Sequence, residues 1–557
     1  MSSIDFQNTV FSYHRCADHD APKVLRYPVV VVGAGPVGLS LAIDLAQQGV
    51  AVVLLDNDDR LSTGSRAICF AKRTLEVFDR LGCGDRMVDR GVSWSVGKVF
   101  FQDEMVYRFD LLPEAGHERP AFINLQQYYV EGFLVERAQE LPLIDLRWKS
   151  AVTGLVQHAD HAQLTVETPE GSYVLEAMYV VACDGSRSPM RLLCGEESHG
   201  QTFRDRFLIA DVKMKADFPA ERWFWFDPPF HRNQSVLLHK QPDDVWRIDF
   251  QLGWDADPDL EKRPENILPR VRALLAHTAM KDAEFELEWA SVYTFSCLRM
   301  DSFRNGRVFF AGDSAHGVSP FGARGANSGI QDAENLAWKL AYVLHGKASP
   351  EVLGSYDTER VQAADENILN STRATDFITP KSDISRLFRD STLLLARDHA
   401  FARRLVNSGR LSVPCTVDAS ELNTPDREIF ESAIRPGAAA ADAPVKAQGK
   451  PTWLMRQLIS GAFTLLVFDG PNAATLIRET EAVPEGLAPP SILLIGDRSL
   501  SGARTISDVE GFLARRFDGR PDTAYLLRPD QHVCARWRSP DADAIHAAMF
   551  KAVGCAH

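Results

Sequence analysis

The sequence lacks the cysteine patterns that mark disulfide scaffolds, zinc sites and redox-active thiol pairs. Its nine cysteines are spread over 557 residues and include no CxxC and no metal-ligand spacing. They are Cys16, Cys69, Cys83, Cys183, Cys194, Cys297, Cys415, Cys534 and Cys555. Scattered thiols of this kind are typical of a reducing compartment, in which most of them are buried. The pattern predicts a cytoplasmic protein without a metal centre.

Excess positive charge and long apolar runs are also missing. The 61 basic residues against 75 acidic ones give a net charge of −14, which disfavours nucleic acid and anionic membranes as partners. No apolar run approaches the ~20 residues needed to span a bilayer. The first 26 residues are polar, so we expect an N-terminal extension and not a signal peptide. The length suggests two or three domains.

The strongest pattern runs from Tyr27 to Asp56. An apolar run ends in Gly-Ala-Gly-Pro-Val-Gly, and a helical segment and a second apolar run follow, which predicts a parallel βαβ unit. Gly33 allows the tight turn, Gly35 lets a pyrophosphate approach the backbone, and Gly38 lets helix and strand pack closely. Asp56 ends the second strand, where it can bind the ribose hydroxyls of adenosine. The unit predicts dinucleotide binding, but its glycine pattern is compatible with both NAD and FAD.

Three polar residues near this unit are compatible with ligand binding. Arg66 follows the second strand and could neutralise a pyrophosphate, although composition alone favours a solvated surface arginine. Gln127 and Glu131 share one face of a helix predicted to run to about Glu140. Two exposed polar side chains would give the same pattern.

Further along, two short apolar strands end in acidic turns. The first ends in Cys183-Asp-Gly-Ser-Arg-Ser188, and the second ends in Gly312-Asp313. Ligands of open α/β sheets bind at the carboxyl ends of strands. A helix predicted from about Ser328 to Leu344 has a glycine-rich start that aims free N–H groups toward the same sheet edge.

The sequence pattern between residues 200 and 300 is typical of an antiparallel sheet. Strand-like runs at 207–214, 235–240, 246–252 and 285–295 predict a second sheet packed over the first domain. Trp223-Phe-Trp-Phe226 has the context of a loop. This aromatic group is interpreted as core packing, with the wall of an aromatic pocket as the alternative.

Together these motifs resemble the FAD-dependent aromatic hydroxylases, the flavin monooxygenases of the para-hydroxybenzoate hydroxylase fold. The resemblance rests on Gly33–Gly38, on Cys183–Ser188 with Arg191, and on Gly312–Asp313 through Asn327 to Lys339. Residues around Arg66, Arg73–Glu76 and Gln127–Glu131 are most similar to the 3-(3-hydroxyphenyl)propionate hydroxylase branch. The resemblance implies an α/β fold: a Rossmann-like FAD-binding domain (GR2-type), an inserted antiparallel substrate sheet and a C-terminal thioredoxin-like domain.

The resemblance also implies roles for individual residues in binding FAD. The implied set comprises the pyrophosphate loop Gly33, Ala34, Gly35, Pro36 and Gly38, Asp56 at the adenosine ribose, Arg66 at the pyrophosphate, Gln127 along the ribityl chain, Asp184 near FAD and passing NAD(P)H, Asp313 at the ribitol, Pro320 beside the flavin, and Gly325, Ala326 and Asn327 at its pyrimidine edge. The chain departs from the usual family pattern at Arg324, which adds a charge near the flavin ring.

The end of the chain is predicted to form a separate unit. An Ala/Pro/Gly-rich linker leads to strands at 463–468 and 491–495, a helix at 507–517, a hairpin at 524–537 and a final helix at 542–553. This unit resembles the thioredoxin-like domain of that subgroup but has no CxxC, so we expect a structural role, with homodimer contacts as one option. The expected divisions are 1–26 extension, 27–199 FAD domain (first part), 200–300 substrate sheet, 301–436 FAD domain (second part) with a helical region, 437–450 linker and 451–557 thioredoxin-like domain.

The implied reaction is hydroxylation of a small phenol. NADH or NADPH reduces FAD, O2 forms a C4a-hydroperoxyflavin, and one oxygen atom enters the ring. The catalytic residues are unknown from the sequence. His239, Arg247 and Asp249 on strands of the presumed substrate sheet are weak candidates for the base, and Tyr293 and His316 are no better. Baeyer–Villiger oxidation by the same machinery and a non-catalytic FAD-binding redox sensor or scaffold are the alternatives.

Overall fold

The chain opens with the strand, helix and strand that the glycine motif predicts. The computed structural model describes residues 6–62, 67–406, 412–458 and 461–555. In these ranges, none of the helices has both the length and the apolar character needed to cross a membrane. The elements up to residue 193 are β1 Leu25–Val32, α1 Pro36–Gln47, β2 Val52–Leu55, β3 Cys69–Ala71, α2 Lys72–Leu81, α3 Gly84–Arg90, β4 Val92–Trp94, β5 Val96–Phe101, β6 Glu104–Asp110, β7 Phe122–Asn124, α4 Gln127–Gln139, β8 Ile144–Arg147, β9 Ala151–Gln157, β10 Ala162–Thr168, β11 Gly171–Ala182 and α5 Pro189–Leu193.

Long antiparallel strands come next and are followed by long helices. These elements are β12 Ser198–Met214, β13 Arg222–Phe226, β14 Ser235–Lys240, β15 Val245–Leu252, α6 Pro258–Glu261, α7 Pro264–Ala276, β16 Phe285–Met300, β17 Arg304–Asn305, β18 Val308–Phe310, β19 His316–Gly317, α8 Gly325–Leu344, α9 Gly354–Ile378, α10 Asp383–Ala396 and α11 Ala400–Leu405.

The last part of the chain returns to short alternating elements. They are β20 Pro444–Ala447, β21 Lys450–Trp453, α12 Leu454–Gln457, β22 Thr464–Phe468, α13 Ala473–Glu481, β23 Ser491–Ile495, β24 Arg504–Ser507, α14 Phe512–Phe517, β25 Ala524–Leu527, β26 Val533–Trp537 and α15 Ala542–Ala552.

The first sheet positions the predicted motifs. Its order is β17-β18-β11-β1-β2-β8, with β10 and β9 attached through β11. Strands β18, β11, β1, β2 and β8 run parallel, and their ends are in register: Val32 lies opposite both Leu55 and Ala182, and Ala182 lies opposite Phe310. The turns that follow these four residues therefore leave the sheet at one edge.

The second sheet has eight strands. Its order is β19-β16-β12-β15-β14-β13-β5-β6. Strands β5 and β6, at residues 96–110, also belong to it, although the sequence pattern predicted only residues 200–300. The loop predicted at Trp223–Phe226 is wrong: this segment is strand β13, paired with β14 and parallel to β5. Its aromatic side chains alternate between the two faces of the sheet, as the two-residue period of a strand requires.

The third sheet has seven strands in the order β21-β20-β24-β23-β22-β25-β26. Residues 444–447 of the predicted linker form β20, which pairs with β21 and β24. The predicted helix at 507–517 is partly wrong, because the run around residue 506 is strand β24 and the helix begins only at Phe512. The predicted hairpin is present as β25 and β26.

The third sheet shares a buried interface with the first part of the chain. Leu465, Val467 and Leu526 lie in the same apolar cluster as Val30 and Leu54. A buried ionic group accompanies this contact.

In that group, Arg528 pairs with Glu359 of α9 at 2.6 Å and with Asp530 at 2.5 Å, and Lys339 of α8 pairs with Glu359 at 2.9 Å. All four side chains are fully buried.

Candidate active site

The glycine loop has the geometry that the three-glycine interpretation predicts. Gly33 has a φ of +105°, and a Cβ there would lie 2.4 Å from the carbonyl oxygen of Cys183. A Cβ on Gly38 would lie 1.9 Å from the carbonyl oxygen of Gly33. A Cβ on Gly35, in contrast, would meet nothing within 4 Å. Gly33 and Gly38 are thus required for packing, whereas Gly35 borders open space in front of α1.

Asp56 lies beside this loop. One of its carboxylate oxygens accepts a hydrogen bond from the Ala34 N–H at 2.6 Å, and the other accepts one from the Asp58 N–H at 2.8 Å. Burial raises the pKa of Asp56, and these two backbone donors oppose the shift. The carboxylate is therefore fixed at the end of β2, with lone pairs left for ribose hydroxyls.

The turn after β11 is held by its own acid. Asp184 accepts hydrogen bonds from the Ser188 hydroxyl at 2.6 Å and from the Met190 N–H at 2.9 Å. Arg191 then donates to the carbonyl oxygen of Ser314 at 2.8 Å. The side chain of Asp184 shapes the turn, and Arg191 joins that turn to the Gly312–Ser314 turn after β18.

Close packing also explains the glycine of the Gly312-Asp313 motif. Gly312 has a φ of +65°, and a Cβ there would lie 2.9 Å from Cγ2 of Val37 on α1. Gly329 of α8 is equally close, since its Cβ would lie 2.7 Å from the same atom. The Gly312 turn and α8 therefore pack directly against the side chain of Val37 on α1, and Asp313 is exposed at the sheet edge.

A buried carboxylate anchors this turn to α8. Asp332 accepts hydrogen bonds from the Gly312 N–H at 2.9 Å and from Nε of Arg360 at 2.6 Å, and lies 2.7 Å from Nε2 of His316. Burial alone would raise its pKa, but His316 and Arg360 lower the pKa of Asp332 to about 2. His316, a weak candidate for the base, is thus committed to a buried hydrogen bond with Asp332.

The start of α8 forms the far wall of the site. No side chain caps its N-terminus, and Pro320 is exposed in the loop before it. The side chain of Asn327 faces the protein, because it accepts from the Ala71 N–H at 2.8 Å and donates to the carbonyl oxygen of Cys69 at 2.9 Å. Ligand contacts at Gly325, Ala326 and Asn327 would therefore come from backbone.

Gln127 lies in a polar group beside the loop that follows β2. Its side-chain amide accepts from the Ala67 N–H at 3.1 Å and donates to Glu131 at 2.8 Å and to the Ser62 hydroxyl at 3.0 Å. Arg66 lies outside the described residues. Gln127 and Glu131 are thus a structural pair at the first turn of α4, next to the predicted pyrophosphate side.

These features fit FAD. The edge of the first sheet at which its parallel strands end has open space over Gly35. It also has two helix N-termini without side-chain caps, and acids at the ends of β2 and β18. Helix N-termini bind phosphate through their free N–H groups and positive dipole end. The residues present can hold a dinucleotide along this edge, with its flavin end toward α8.

An aromatic cavity adjoins the loop that leads into α8. It is narrow in this structure, with a volume of about 20 Å³. Its lining residues are Lys98, Phe109, Arg222, Phe224, Phe226, Phe321, Gly322, Ala374, Phe377, Ile378 and Val406. Phe321 and Gly322 follow Pro320 directly, so the cavity opens beside the position predicted for the flavin ring. The aromatic residues of β13 thus form part of a pocket wall.

Buried polar side chains lie on the same face of the second sheet as this wall. Arg222, His239 and Arg247 lie side by side on β13, β14 and β15, and Asp249 lies two residues beyond Arg247. Nε2 of His239 is 3.9 Å from a carboxylate oxygen of Asp249. We call Arg222, His239 and Asp249 the polar cluster.

The members of the polar cluster keep unused hydrogen-bonding capacity. Nδ1 of His239 and one carboxylate oxygen of Asp249 have no hydrogen-bond partner among the described residues. Arg222 is 8% exposed, and the described chain offers its guanidinium no hydrogen bond or ion pair. Burial raises the pKa of Asp249 to about 6 and holds the pKa of His239 well below its usual range. At neutral pH the cluster therefore contains a carboxylate, a neutral imidazole and a guanidinium.

The other sequence candidates have structural roles. Arg247 is paired with Asp211 through two contacts of 2.8 Å. Tyr293 packs against the aromatic cluster, with its ring 6.2 Å from that of Phe295. Sequence reasoning missed Arg222, although its position two residues before Phe224 on a strand places both side chains on one face.

The comparisons with known proteins agree with this geometry. The model of a family described as "FAD binding domain" matches residues 26–371. A probable NADH-specific resorcinol 4-hydroxylase of Rhodococcus jostii (strain RHA1) is 28% identical over 524 residues, covering 91% of each chain. A 3-(3-hydroxy-phenyl)propionate/3-hydroxycinnamic acid hydroxylase of Mycolicibacterium smegmatis (strain ATCC 700084 / mc(2)155) is 26% identical over 554 residues, covering 94% of this chain and 92% of the relative.

A solved structure has the same fold. The flavin-dependent monooxygenase PieE, in complex with FAD and substrate, superposes with a TM-score of 0.79 at 21% identity, covering 96% of this chain and all of that one. The chain belongs to the FAD-binding-domain family of flavoproteins, and the predicted resemblance to the FAD-dependent aromatic hydroxylases is confirmed. FAD is its cofactor, and its class is that of flavin-dependent monooxygenases.

Proposed function

We propose that this chain is an NAD(P)H:O2 monooxygenase that hydroxylates a phenolic ring. The observation that carries the proposal is the phenylalanine-lined cavity, which has Arg222 in its wall and ends at Phe321 and Gly322, next to the predicted flavin position. Bound FAD supplies the redox chemistry, by taking two electrons from NAD(P)H and activating O2. The balanced reaction joins a phenol, O2, NAD(P)H and a proton, and yields a dihydroxy product, NAD(P)+ and water.

The cavity walls would hold and orient the ring. Phe224, Phe226, Phe321 and Phe377 present aromatic faces and edges, which favour an aromatic guest and exclude water. A buried ring next to the flavin edge is protected from solvent, so the activated oxygen is used on the ring.

The polar cluster would activate the phenol. We assign Asp249 as the acceptor of the phenolic proton, since its pKa of about 6 leaves it ionised at neutral pH and an oxygen of its carboxylate lacks a partner. Arg222 would stabilise the phenolate that forms, and neutral His239 would orient Asp249. A phenolate is more electron-rich ortho and para to its oxygen than the phenol, which favours attack at those carbons.

The hydride donor would bind transiently. The sequence has one GxGxxG, and we assign it to FAD. The groove beside the Asp184–Ser188 turn is therefore the proposed docking position for NADH or NADPH. The Rhodococcus relative is named as NADH-specific, which favours NADH.

The finer architecture is part of this proposal. We assign the second sheet as the inserted substrate domain and residues 451–557 as a thioredoxin-like domain with a structural role. The buried pairing of Arg528 with Glu359 supports that role.

The test is NADH and NADPH oxidation with a panel of phenols under 18O2. Stimulated oxidation with one 18O atom in a ring hydroxyl would support the proposal. Ester or lactone products from ketones would indicate Baeyer–Villiger oxidation, and a lack of stimulation by every phenol would favour a redox sensor or scaffold. Asp249→Asn should lower turnover about 100-fold or more, the usual contribution of a general base. Asp255→Asn, at an exposed acid of the same sheet's connecting loop, is the matched control.

A further inference from the structure

Large apolar side chains are exposed along one face of helix α10. Five of them are between 46% and 81% exposed, namely Ile384, Leu387, Phe388, Leu394 and Leu395. Together with the exposed Ser391 they recur every three or four residues, so they lie on one side of the helix. We call these six residues the apolar stripe.

The buried face of α10 is less apolar than the stripe. It consists of Arg389, Thr392, Leu393 and Ala396. A surface helix of a globular protein normally turns its apolar face toward the core and its polar face toward solvent. In α10 this orientation is reversed, which indicates that another surface covers the stripe.

The exposed apolar area continues onto α11. Phe401 and Leu405 are at least half exposed, and Arg403 ties α11 to the end of α10 by donating to the carbonyl oxygens of Ala396 and Arg397. In the described ranges 22 large apolar side chains are exposed, and seven of them fall between residues 384 and 405. These seven present on the order of 700 Å², which exceeds the ~300–600 Å² patch of a typical monomer and approaches the ~800 Å² that one partner buries in a standard interface.

The apolar stripe has the same spacing in both directions around Ser391. Leu387 and Phe388 precede Ser391 by four and three residues. Leu394 and Leu395 follow it by three and four residues. If two copies of α10 packed antiparallel across a two-fold axis at Ser391, the leading pair of each copy would meet the trailing pair of the other. The small side chain of Ser391 would let the two helices approach closely where they cross.

The charges at the ends of α10 favour the same arrangement. Asp383 is exposed in the first turn of the helix, whereas Arg397 caps its C-terminus and Arg404 is exposed in α11. Antiparallel pairing would bring the acidic end of one copy to the basic end of the other, and it would also oppose the two helix dipoles. The surface is therefore complementary to itself in charge as well as in spacing.

We propose that α10 and α11 form the interface of a symmetric homodimer, in which the apolar stripe of one copy packs against the same stripe of the other. This surface is separate from the C-terminal sheet, for which the sequence suggested dimer contacts as one option. The proposal concerns assembly and does not depend on which substrate the enzyme takes.

A lipid surface is the competing occupant of the stripe. Helices that bind anionic lipid present Lys or Arg beside their apolar face. In α10, however, Arg389 is buried and Arg397 pairs with Glu104, while the carboxylates of Asp383 and Asp398 are exposed. In a chain with a net charge of −14, this arrangement disfavours an anionic membrane and favours a second copy.

The test measures the oligomeric state of the FAD-loaded full chain by analytical ultracentrifugation over a range of concentrations. The stripe variant is Leu387→Gln/Leu394→Gln. The control is Leu143→Gln/Leu260→Gln, which makes the same change at two exposed leucines elsewhere. Flavin absorbance and thermal unfolding establish that each variant is folded.

The unmodified chain should be a dimer at micromolar concentration. The stripe variant should raise the Kd of the dimer about 100-fold or more, since each dimer would lose four buried leucine side chains. The control variant should dimerise as the unmodified chain does.

A cysteine at the two-fold axis tests the arrangement of the helices. Ser391→Cys should form an intersubunit disulfide under mild oxidation, because the two copies of residue 391 would face each other closely enough for a disulfide. Ser539→Cys, at an exposed position of the C-terminal region, is the matched control and should not cross-link. The unmodified chain provides the background from the native thiols.

An unmodified chain that stays monomeric at the highest concentration measured would overturn the proposal. A stripe variant that dimerises normally, an equal loss in the control, or a Ser391→Cys variant that does not cross-link would also overturn it. Vesicles of phosphatidylcholine and phosphatidylglycerol are the probe for a lipid surface. If they bind the unmodified chain as a monomer and do not bind the stripe variant, the stripe is a lipid-binding face and the proposal is wrong.

Discussion

Replacing Gly35 by alanine should separate FAD binding from folding. Gly35 has φ −75° and ψ −178°, which any residue adopts, and its added methyl group would meet no protein atom within 4 Å. The methyl group would instead occupy the space in which the pyrophosphate approaches the N-terminus of α1. We therefore expect an apoprotein of nearly normal stability that binds FAD poorly.

The expected loss of FAD affinity follows from the hydrogen bonds that the methyl group would disrupt. Losing one charge-assisted N–H contact to phosphate should weaken binding by ~1.5–3 kcal/mol. This corresponds to a ~10- to 150-fold higher Kd. Two opposing effects nearly cancel in the apoprotein. Alanine has less backbone entropy than glycine in the unfolded chain, which stabilises the fold by ~0.4–1 kcal/mol. Alanine is also a poorer N-cap residue than glycine, which destabilises the fold.

Gly38→Ala is the matched comparison. Its methyl group would lie 1.9 Å from the Gly33 carbonyl oxygen, so backbone must move and the apoprotein itself should lose ~1–3 kcal/mol or more. The assays are thermal unfolding of both apoproteins and FAD titration followed by quenching of flavin fluorescence. An unchanged Kd in Gly35→Ala, or a loss of apoprotein stability equal to that of Gly38→Ala, would refute the reasoning.

Three further outcomes are expected. Asp249 must be ionised to accept a proton, so kcat/KM for the phenol should fall as the pH drops through about 6, and a profile flat from pH 5 to 8 would remove Asp249 from the mechanism. Arg528→Met leaves Glu359 and Asp530 buried without their main partner and should cost ~3–5 kcal/mol in chemical unfolding, whereas Arg498→Met at an exposed pair should change stability far less. Anaerobic flavin reduction by NADH, followed by stopped-flow absorbance, should be faster by ~10-fold or more with the right phenol, and equal rates with and without every active phenol would exclude substrate gating.

The FAD edge could be predicted from sequence because its requirements are local. Gly33, Gly38 and Gly312 are fixed by backbone conformation or by contacts that admit no Cβ, and such constraints leave a readable glycine pattern. Asp56 and Asp184 follow buried strands, whose carboxyl ends meet in any parallel sheet. These predictions needed strand direction only, and not the packing of distant side chains.

The substrate side could not be predicted in the same way. Arg222 and Asp249 come together through the antiparallel register of three strands, β13, β14 and β15. The strand Arg222–Phe226 was missed for a related reason: it is short, it is followed by a Pro-Pro turn, and one of its partners is β5, more than 100 residues earlier in the chain.

Helix α8 has contacts at both ends of the buried region, with the Gly312 turn on one side and with the buried ion pairs on the other. Its first turn faces the predicted pyrimidine edge of the flavin, Asp332 in its middle holds the Gly312 turn, and Lys339 near its end joins the buried pairing of Glu359 with Arg528. A single helix with buried contacts along its length moves as a unit, since packed interiors resist small displacements. The C-terminal sheet therefore helps to fix the start of α8, which is predicted to face the flavin. Its direct contact with α8 includes the hydrogen bond that Nε1 of Trp338 donates to Asp530 at 3.1 Å, and its buried ion pair is made by Arg528 with Glu359 of α9, which in turn binds Lys339 of α8.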